Sequence, residues 1–288
     1  MLQAFLQALV NGIVAGTILA VPAIGFSAIF AVLNYPSFAI GALAAVGAYA
    51  GYLANTKLGL SLELSLAAAF CGAALVGVAN EWLAVRPLEK AGALMMAIAS
   101  LAAGVVLENL LRFLFGNEQL GYDVPILRDV VVAGLRVGPQ QLKNFIAALA
   151  IMTGIWLFLR HTRTGRVMRA VADNRDLARL RGIDPRRVAL VTVVVGAGLA
   201  GLGGMLIGLD TTLEPVIGQR LILPIFAAAV LGGLGSIPGA VAGALAIGLV
   251  EELTVLFLNP AYRTAVAFLI ILVVLTIRPS GLFGVRAT

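Results

Sequence analysis

The 288-residue sequence contains one cysteine, Cys71, and one histidine, His161. A single cysteine excludes an internal disulfide. One residue of each kind leaves almost nothing from which to build a His/Cys metal site. Charge is scarce too: 12% of residues are Asp, Glu, Lys or Arg, where a soluble domain has about a quarter. No G-x-x-x-x-G-K-[ST] phosphate loop occurs, so if ATP drives this protein another chain must bind it. The start, MLQAFLQALVNGIV, lacks a basic n-region and a clear cleavage site. It reads as the mature start of a first membrane helix.

Nucleophilic catalysis is poorly provided for. Ser236, in the stretch GLGS, faintly resembles an intramembrane protease nucleophile, but such a serine needs a base in reach. The sole histidine, His161, sits in a basic loop. Asp210 stands alone at a helix end, so no pair of intramembrane aspartates exists either.

Apolar residues are plentiful: 61% of the chain is hydrophobic and the mean hydropathy is +1.03. That much apolar surface exceeds what one globule hides beneath a polar shell. Several apolar stretches reach the roughly 18 residues a helix needs to cross about 30 Å of hydrocarbon. The expected fold class is all-α, a polytopic transmembrane helix bundle in one integral membrane domain, 1–288. Candidate spans are 5–33, 36–54, 58–85, 92–115, 141–160, 187–209, 221–258 and 261–278. The first contains Pro22, which predicts a kink or a division. The seventh is too long for one helix and is interrupted by GGLGSIPG, Gly232–Gly239, giving eight to nine crossings and a broken or re-entrant segment near 232–239.

The net charge of +6 and pI near 10 are read as arginine retained in cytoplasmic loops rather than a nucleic-acid surface. Of the 20 basic residues, nine lie from Arg160 to Arg187, and Arg86 and Lys90 mark a second basic loop. Both loops are expected at the cytoplasmic face, and 116–140, with its β-like VVVAGLRVG, outside. Arg278 and Arg286 favour a cytoplasmic C-terminal end. Small residues recur at four-residue spacing in Gly12/Gly16, Gly47/Gly51, Gly204/Gly208 and Gly235/Gly239/Gly243, the pattern of closely packed membrane helices.

Polar residues in apolar runs are candidates for function because hydrocarbon penalises them. They are Asn11, Glu63, Asn80, Glu81, Glu108, Asn109, Arg112, Glu251 and Glu252. Most fall near predicted ends, and Glu108 and Arg112 are spaced to pair. Glu251 alone suits a proton-coupled carrier. LGGLGSIPGA, Leu231–Ala240, carries four glycines and a proline. Such backbone either forms a tight turn at the surface or lines a watery path at depth.

TGRVMRAVADNRDLARLRGIDPRR, Thr164–Arg187, holds seven arginines and three aspartates. Thr164–Ala172 is expected to extend the preceding membrane helix. Asp173 or Asn174 then caps a short helix from Arg175 to about Arg181, which Gly182 ends. Asp184 and Pro185 open the next helix. A helical wheel over the whole segment shows no clean apolar stripe. Topology alone requires no caps or ordered turns, so this loop 161–187 is expected to be folded.

The blocks GRVMRAVADNRDLARLRGIDPRRVALVTVVVGAGLAGLGGMLIGL (Gly165–Leu209) and AAVLGGLGSIPGAVAGALAIGLVE (Ala228–Glu251) strongly resemble permease subunits of branched-chain amino-acid ABC importers. So do NGIVAGTILAVPAIG (Asn11–Gly25), RPL (Arg86–Leu88) and RPSGLFG (Arg278–Gly284), and the form GSIPGA is similar to the H-type subunit. The resemblance implies a permease in a bacterial inner membrane that is not itself an enzyme. It implies an M-type second permease, two ATPase subunits that bind ATP and magnesium, and a periplasmic substrate-binding protein. No cofactor is expected on this chain, and no nucleic acid; membrane lipid surrounds it. The cytoplasmic loop would couple to the ATPases through Gly165, Arg166, Arg169, Ala172, Asn174, Ala178, Leu180 and Gly182. The translocation path is expected at Asn34, Phe38, Gly41, Gly232, Gly233, Gly235, Ser236, Pro238 and Gly239. Many members read Asn-Phe-Ala-His-Gly where this chain reads NYPSFAIG, Asn34–Gly41. The missing histidine leaves the substrate open among branched-chain and other amino acids, urea, short amides and small organic acids, aromatic ones included. An ion-coupled secondary carrier is the alternative from another class.

Overall fold

The computed structural model describes residues 2–125, 130–132, 135–278 and 281–283. Parts of VVVAGLRVG and RPSGLFG, and Arg286, lie outside the described residues. The described elements are helices joined by short links, with one small hairpin. In order they are α1 (Leu2–Leu33), α2 (Ile40–Tyr52), α3 (Leu62–Asn80), α4 (Ala93–Phe115), β1 (Val130–Val132), β2 (Leu135–Val137) and α5 (Pro139–His161). Then follow α6 (Arg163–Asp173), α7 (Arg175–Leu180), α8 (Pro185–Asp210), α9 (Ile217–Gly232), α10 (Ile237–Phe257) and α11 (Arg263–Ile277). Among them, α1, α3 with its extension to Ala91, α4, α5, α8 and α10 are long and apolar enough to cross a membrane. The helices α2, α9 and α11 are shorter.

Burial ranks these helices. In α1, 83% of the most apolar stretch is buried, against 22% in α5. The first helix is therefore the central post, and α5 presents an apolar outer face. Pro22 does not divide α1, which runs unbroken for 32 residues, about 48 Å at 1.5 Å per residue. A proline withdraws one backbone donor, but α1 is enclosed by α8, α10, α5 and α9. The Pro22 ring fills space above Gly203, where a side chain would collide with it.

Small residues make these approaches possible. Methyl groups at Gly12 and Gly16 would press on the α10 backbone at Leu249 and Leu245. One at Gly47 would overlap Gly201 in α8, and one at Gly243 the carbonyl of Ala228 in α9. The four-residue spacing seen in the sequence thus marks real helix contacts. In a bilayer such close packing replaces the hydrophobic drive that holds soluble helices together.

The two ends of the bundle are distinct. Arg175 of α7 meets Glu89 of the 3-10 turn Arg86–Ala91, so both basic loops share one end. At the other end the main chain of Leu120 bridges Leu213, the Tyr122 hydroxyl donates to the Ala48 carbonyl, and Arg136 N–H donates to Gln7. Burial pushes the Tyr122 phenol above its ordinary range, with Tyr49 adding to the effect. Val130–Val132 pairs antiparallel with Leu135–Val137, the β-like stretch read from the sequence.

Candidate functional site

The arginine-rich loop is two helices. At Thr162 the chain leaves α5 in extended conformation, and the Thr162 hydroxyl accepts from Gly165 N–H at 3.0 Å. The expectation that Thr164–Ala172 continues the membrane helix is therefore corrected. Gly165 lies so close to Phe158 and Leu159 that a Cβ would meet their backbone 2.5 Å away. This lets α6 fold back beneath the end of α5. The absence of an apolar stripe is corrected as well. Within α6 alone, Gly165, Met168 and Val171 are buried at three-residue spacing, while Arg163, Arg166 and Arg169 are exposed. A wheel drawn across the break at Asn174 mixed two faces.

Asn174 caps α7, accepting from Asp176 N–H at 3.1 Å and Leu177 N–H at 2.9 Å. At the far end Gly182 takes φ +78°. Ile183 N–H reaches the Ala178 carbonyl at 3.1 Å and Gly182 N–H the Arg179 carbonyl at 2.9 Å. This is a Schellman closure, in which a left-handed glycine satisfies carbonyls the helix leaves open. Asp184 caps α8 through Arg186 N–H at 2.9 Å. The α7 helix is thus fixed at both ends. Ala178 faces inward, while Leu177 and Leu180 are 54% and 84% exposed. Of the expected coupling residues, Gly165 and Ala178 are internal supports, Asn174 and Gly182 are end signals, and Arg166, Arg169, Ala172 and Leu180 face outward.

A chain of contacts leads from α7 into the bundle. Arg175 reaches Glu89 at 3.1 Å. Glu89 follows a π-helical turn, Glu81–Val85, that ends α3. Glu81 accepts a hydrogen bond from the Tyr35 hydroxyl at 3.1 Å. Tyr35 belongs to the link between α1 and α2, which starts at Asn34 with φ +61°. Three residues on, Phe38 N–H donates to the Ser100 hydroxyl of α4 at 3.0 Å, and the Phe38 ring meets Phe226 of α9 at 5.8 Å. Sequence reasoning missed Tyr35, Ser100, Phe226 and Glu89. The first two carry the signal of polar side chains beside an apolar run.

The expected path residues divide into two groups. Asn34, Phe38 and Gly41 lie on the α1–α2 link and the start of α2, where Gly41 packs backbone to backbone on Gly218 of α9. The residues Gly232 to Gly239 join α9 to α10. Gly232 closes α9, Gly233 (φ +104°) and Gly235 (φ +83°) make a tight turn, and Ser236 caps α10 by accepting from Gly239 N–H at 3.1 Å. Gly232 and Gly239 touch across the hairpin, and Pro238 is exposed in the first turn of α10. The break in 221–258 is a tight turn between two helices, with Gly232, Gly233 and Gly239 buried and Leu234 and Pro238 exposed. It lies at the end of the bundle that carries α6, and Gly235, Ser236 and Pro238 share a cavity with Arg169 and Ala172. A second irregular segment returns into the bundle where the sequence showed none. After α8, Thr211–Val216 is irregular and ends in a turn closed by Ile217 N–H on the Glu214 carbonyl, with Leu213 fully buried and Glu214 held by Arg220 at 3.0 Å and Gln119 at 2.7 Å.

Several of the intramembrane polar residues find partners, while the Asn80 amide oxygen is buried without a hydrogen bond. Glu108 pairs with Arg112 at 2.6 Å, as their spacing predicts, and Glu252 pairs with Arg263. Asn11 accepts from Gln7 at 3.0 Å.

The family described as branched-chain amino acid transport system / permease component matches residues 8–275. The high-affinity branched-chain amino acid transport system permease protein LivH of Escherichia coli K12 is 32% identical over 294 residues, covering 97% of this chain and 96% of its own. BraD of Pseudomonas aeruginosa, bearing the same description, is 31% identical over 294 residues with the same coverage. A solved structure of PsaBC from Streptococcus pneumoniae in complex with Fab superposes with a TM-score of 0.54 over 97% of each chain, at 16% identity, a likeness of fold alone. A match along nearly the whole length, on a bundle whose long helices are apolar enough to cross a membrane, makes this chain a multi-pass member of the branched-chain amino acid transport permease family.

Proposed function

We propose that this permease is one half of the membrane part of an ATP-driven importer in the bacterial inner membrane, carrying a branched-chain or related amino acid inward. A second, M-type permease completes the path. Two ATPase subunits, which bind the ATP and magnesium, dock on the cytoplasmic side, one of them against α7. A periplasmic binding protein delivers the substrate at the opposite end. In this reading the loop 161–187 is cytoplasmic and α1, α2, α3, α4, α5, α8, α9, α10 and α11 alternate in direction, giving nine passes.

The observation that carries the proposal is the construction of α7. A six-residue helix capped at both ends holds two leucines out to solvent. Ordering backbone and exposing Leu180 each cost free energy, which a partner surface recovers. Further support comes from the contacts Arg175–Glu89 and Tyr35–Glu81, which give a push on α7 a route to the α1–α2 link. That link and Thr211–Val216 are irregular segments that bury Tyr35 and Leu213 in the bundle, and irregular backbone at depth suits a transport path.

The test is uptake by proteoliposomes containing the permease pair with and without the ATPase subunits, using labelled leucine, urea and benzoate. The reading predicts leucine uptake that needs ATPase subunits, binding protein and hydrolysable ATP. Uptake driven by an ion gradient without them contradicts it and favours a secondary carrier. ATP-dependent uptake of urea or benzoate instead of leucine keeps the architecture and changes the substrate.

A further inference from the structure

A cavity of about 620 Å³ opens at the loop-bearing end between α1, α5, α6 and the α9–α10 turn. Its volume lies within the range of small-molecule sites. The inner wall is apolar and buried, formed by Ala28, Val32, Leu159 and Met168. The rim is polar and carries Arg160, Arg169, Asp173 and Ser236. The Arg160 guanidinium lies over the Trp156 ring, 5.0 Å from its centroid, and Trp156 is half-exposed on the apolar outer face of α5.

We infer that this cavity binds the headgroup and upper chain of an anionic phospholipid of the phosphatidylglycerol class. The position and the chemistry agree. A tryptophan beside an arginine at the end of a membrane helix marks the water–lipid boundary. Basic pockets between helices at that level bind phosphate headgroups. Two guanidiniums and one carboxylate leave the rim one positive charge, which a monoanionic phosphodiester neutralises. The hydroxyls of a glycerol headgroup supply donors to Asp173, and the buried wall accepts the start of an acyl chain. Arg160 and Arg169 are therefore lipid-facing, whereas Arg175, paired to Glu89, belongs to the coupling route. The inference rests on the chain's place in a membrane and not on the identity of its substrate.

Native mass spectrometry of the full chain from micelles with equal phosphatidylglycerol, phosphatidylethanolamine and phosphatidylcholine tests it. Phosphatidylglycerol is expected to be retained preferentially. Arg160→Gln and Arg169→Gln each weaken that retention about fivefold, while the exposed Arg187→Gln does not. Equal retention of the three lipids, or an equal loss with Arg187→Gln, overturns the site, as does a preference for phosphatidylethanolamine. Displacement of the lipid by inorganic phosphate alone assigns the rim to free anions and also overturns it. A second measurement needs no arginine variant. In a Trp82→Phe background, Trp156 fluorescence is quenched more by brominated phosphatidylglycerol than by brominated phosphatidylcholine at equal content; equal quenching contradicts the proposal.

Discussion

Arg175 and Glu89 are 86 positions apart in the chain, yet their side chains meet at 3.1 Å and join α7 to the turn between α3 and α4. Both are partly exposed, so the pair adds under about 1 kcal/mol to stability. Its value in this account is mechanical. Arg175→Ala or Glu89→Gln should leave the melting temperature nearly unchanged and lower the substrate moved per ATP hydrolysed. Combining Arg175→Glu with Glu89→Arg should restore part of that ratio. Equal ratios in all variants would remove the pair from the coupling route.

Gly182 occupies a left-handed conformation that disfavours side chains by about 1–2 kcal/mol, and β-branched ones most. Gly182→Val should open the Schellman closure, loosen α7 and reduce uptake, with substrate affinity of the binding protein unaffected. Gly182→Asn, which tolerates φ near +78°, should retain most uptake. Comparable uptake for Val and Asn would show that the end of α7 does not set coupling.

Asn174 satisfies two N–H groups at the start of the same helix. Its replacement by alanine should cost about 1 kcal/mol of local stability and replacement by aspartate or serine much less. Hydrogen exchange of the 176–178 amides reads this directly. Faster exchange in Asn174→Ala alone is the expected result.

Gly47 and Gly201 mark where α2 and α8 touch, whereas Gly154 of α5 has open space around the position of a Cβ. Gly47→Val or Gly201→Val should strongly reduce folded protein in size-exclusion chromatography. Gly154→Ala should be neutral or stabilise by up to about 1 kcal/mol. Similar behaviour of the three would mean that the helix contacts are looser than described.

What the sequence revealed follows the range of the forces involved. Asn174, Gly182, Asp184 and Pro185 act within one turn of their own positions, so the caps of α7 and α8 were readable. The glycine pairs were readable because helical spacing puts them on one face. The break after α5 was not, because Arg163 to Ala172 is a good helix in its own right. Only Thr162 and the close approach of Gly165 to Leu159 separate it from α5. Thr211–Val216 was missed because an irregular segment packed against a bundle differs from a surface loop only in what packs around it. The helix α9 starts at Ile217 rather than 221, and its Arg220 pairs with Glu214. Arg175–Glu89 and Tyr35–Glu81 join distant segments, and no local pattern announces them.

The central claim is that α7 is the surface the ATPase subunits press upon. Leu180, 84% exposed, is its outermost apolar residue, and the chain's one cysteine, Cys71, is exposed on α3 and replaceable by serine. The direct measurement is site-specific cross-linking of Leu180→Cys, in Cys71→Ser protein, within the assembled transporter. The account predicts a cross-link to an ATPase subunit whose yield changes between ATP-bound and nucleotide-free states. No cross-link from Leu180→Cys, in a complex that still hydrolyses ATP and imports substrate, would contradict it.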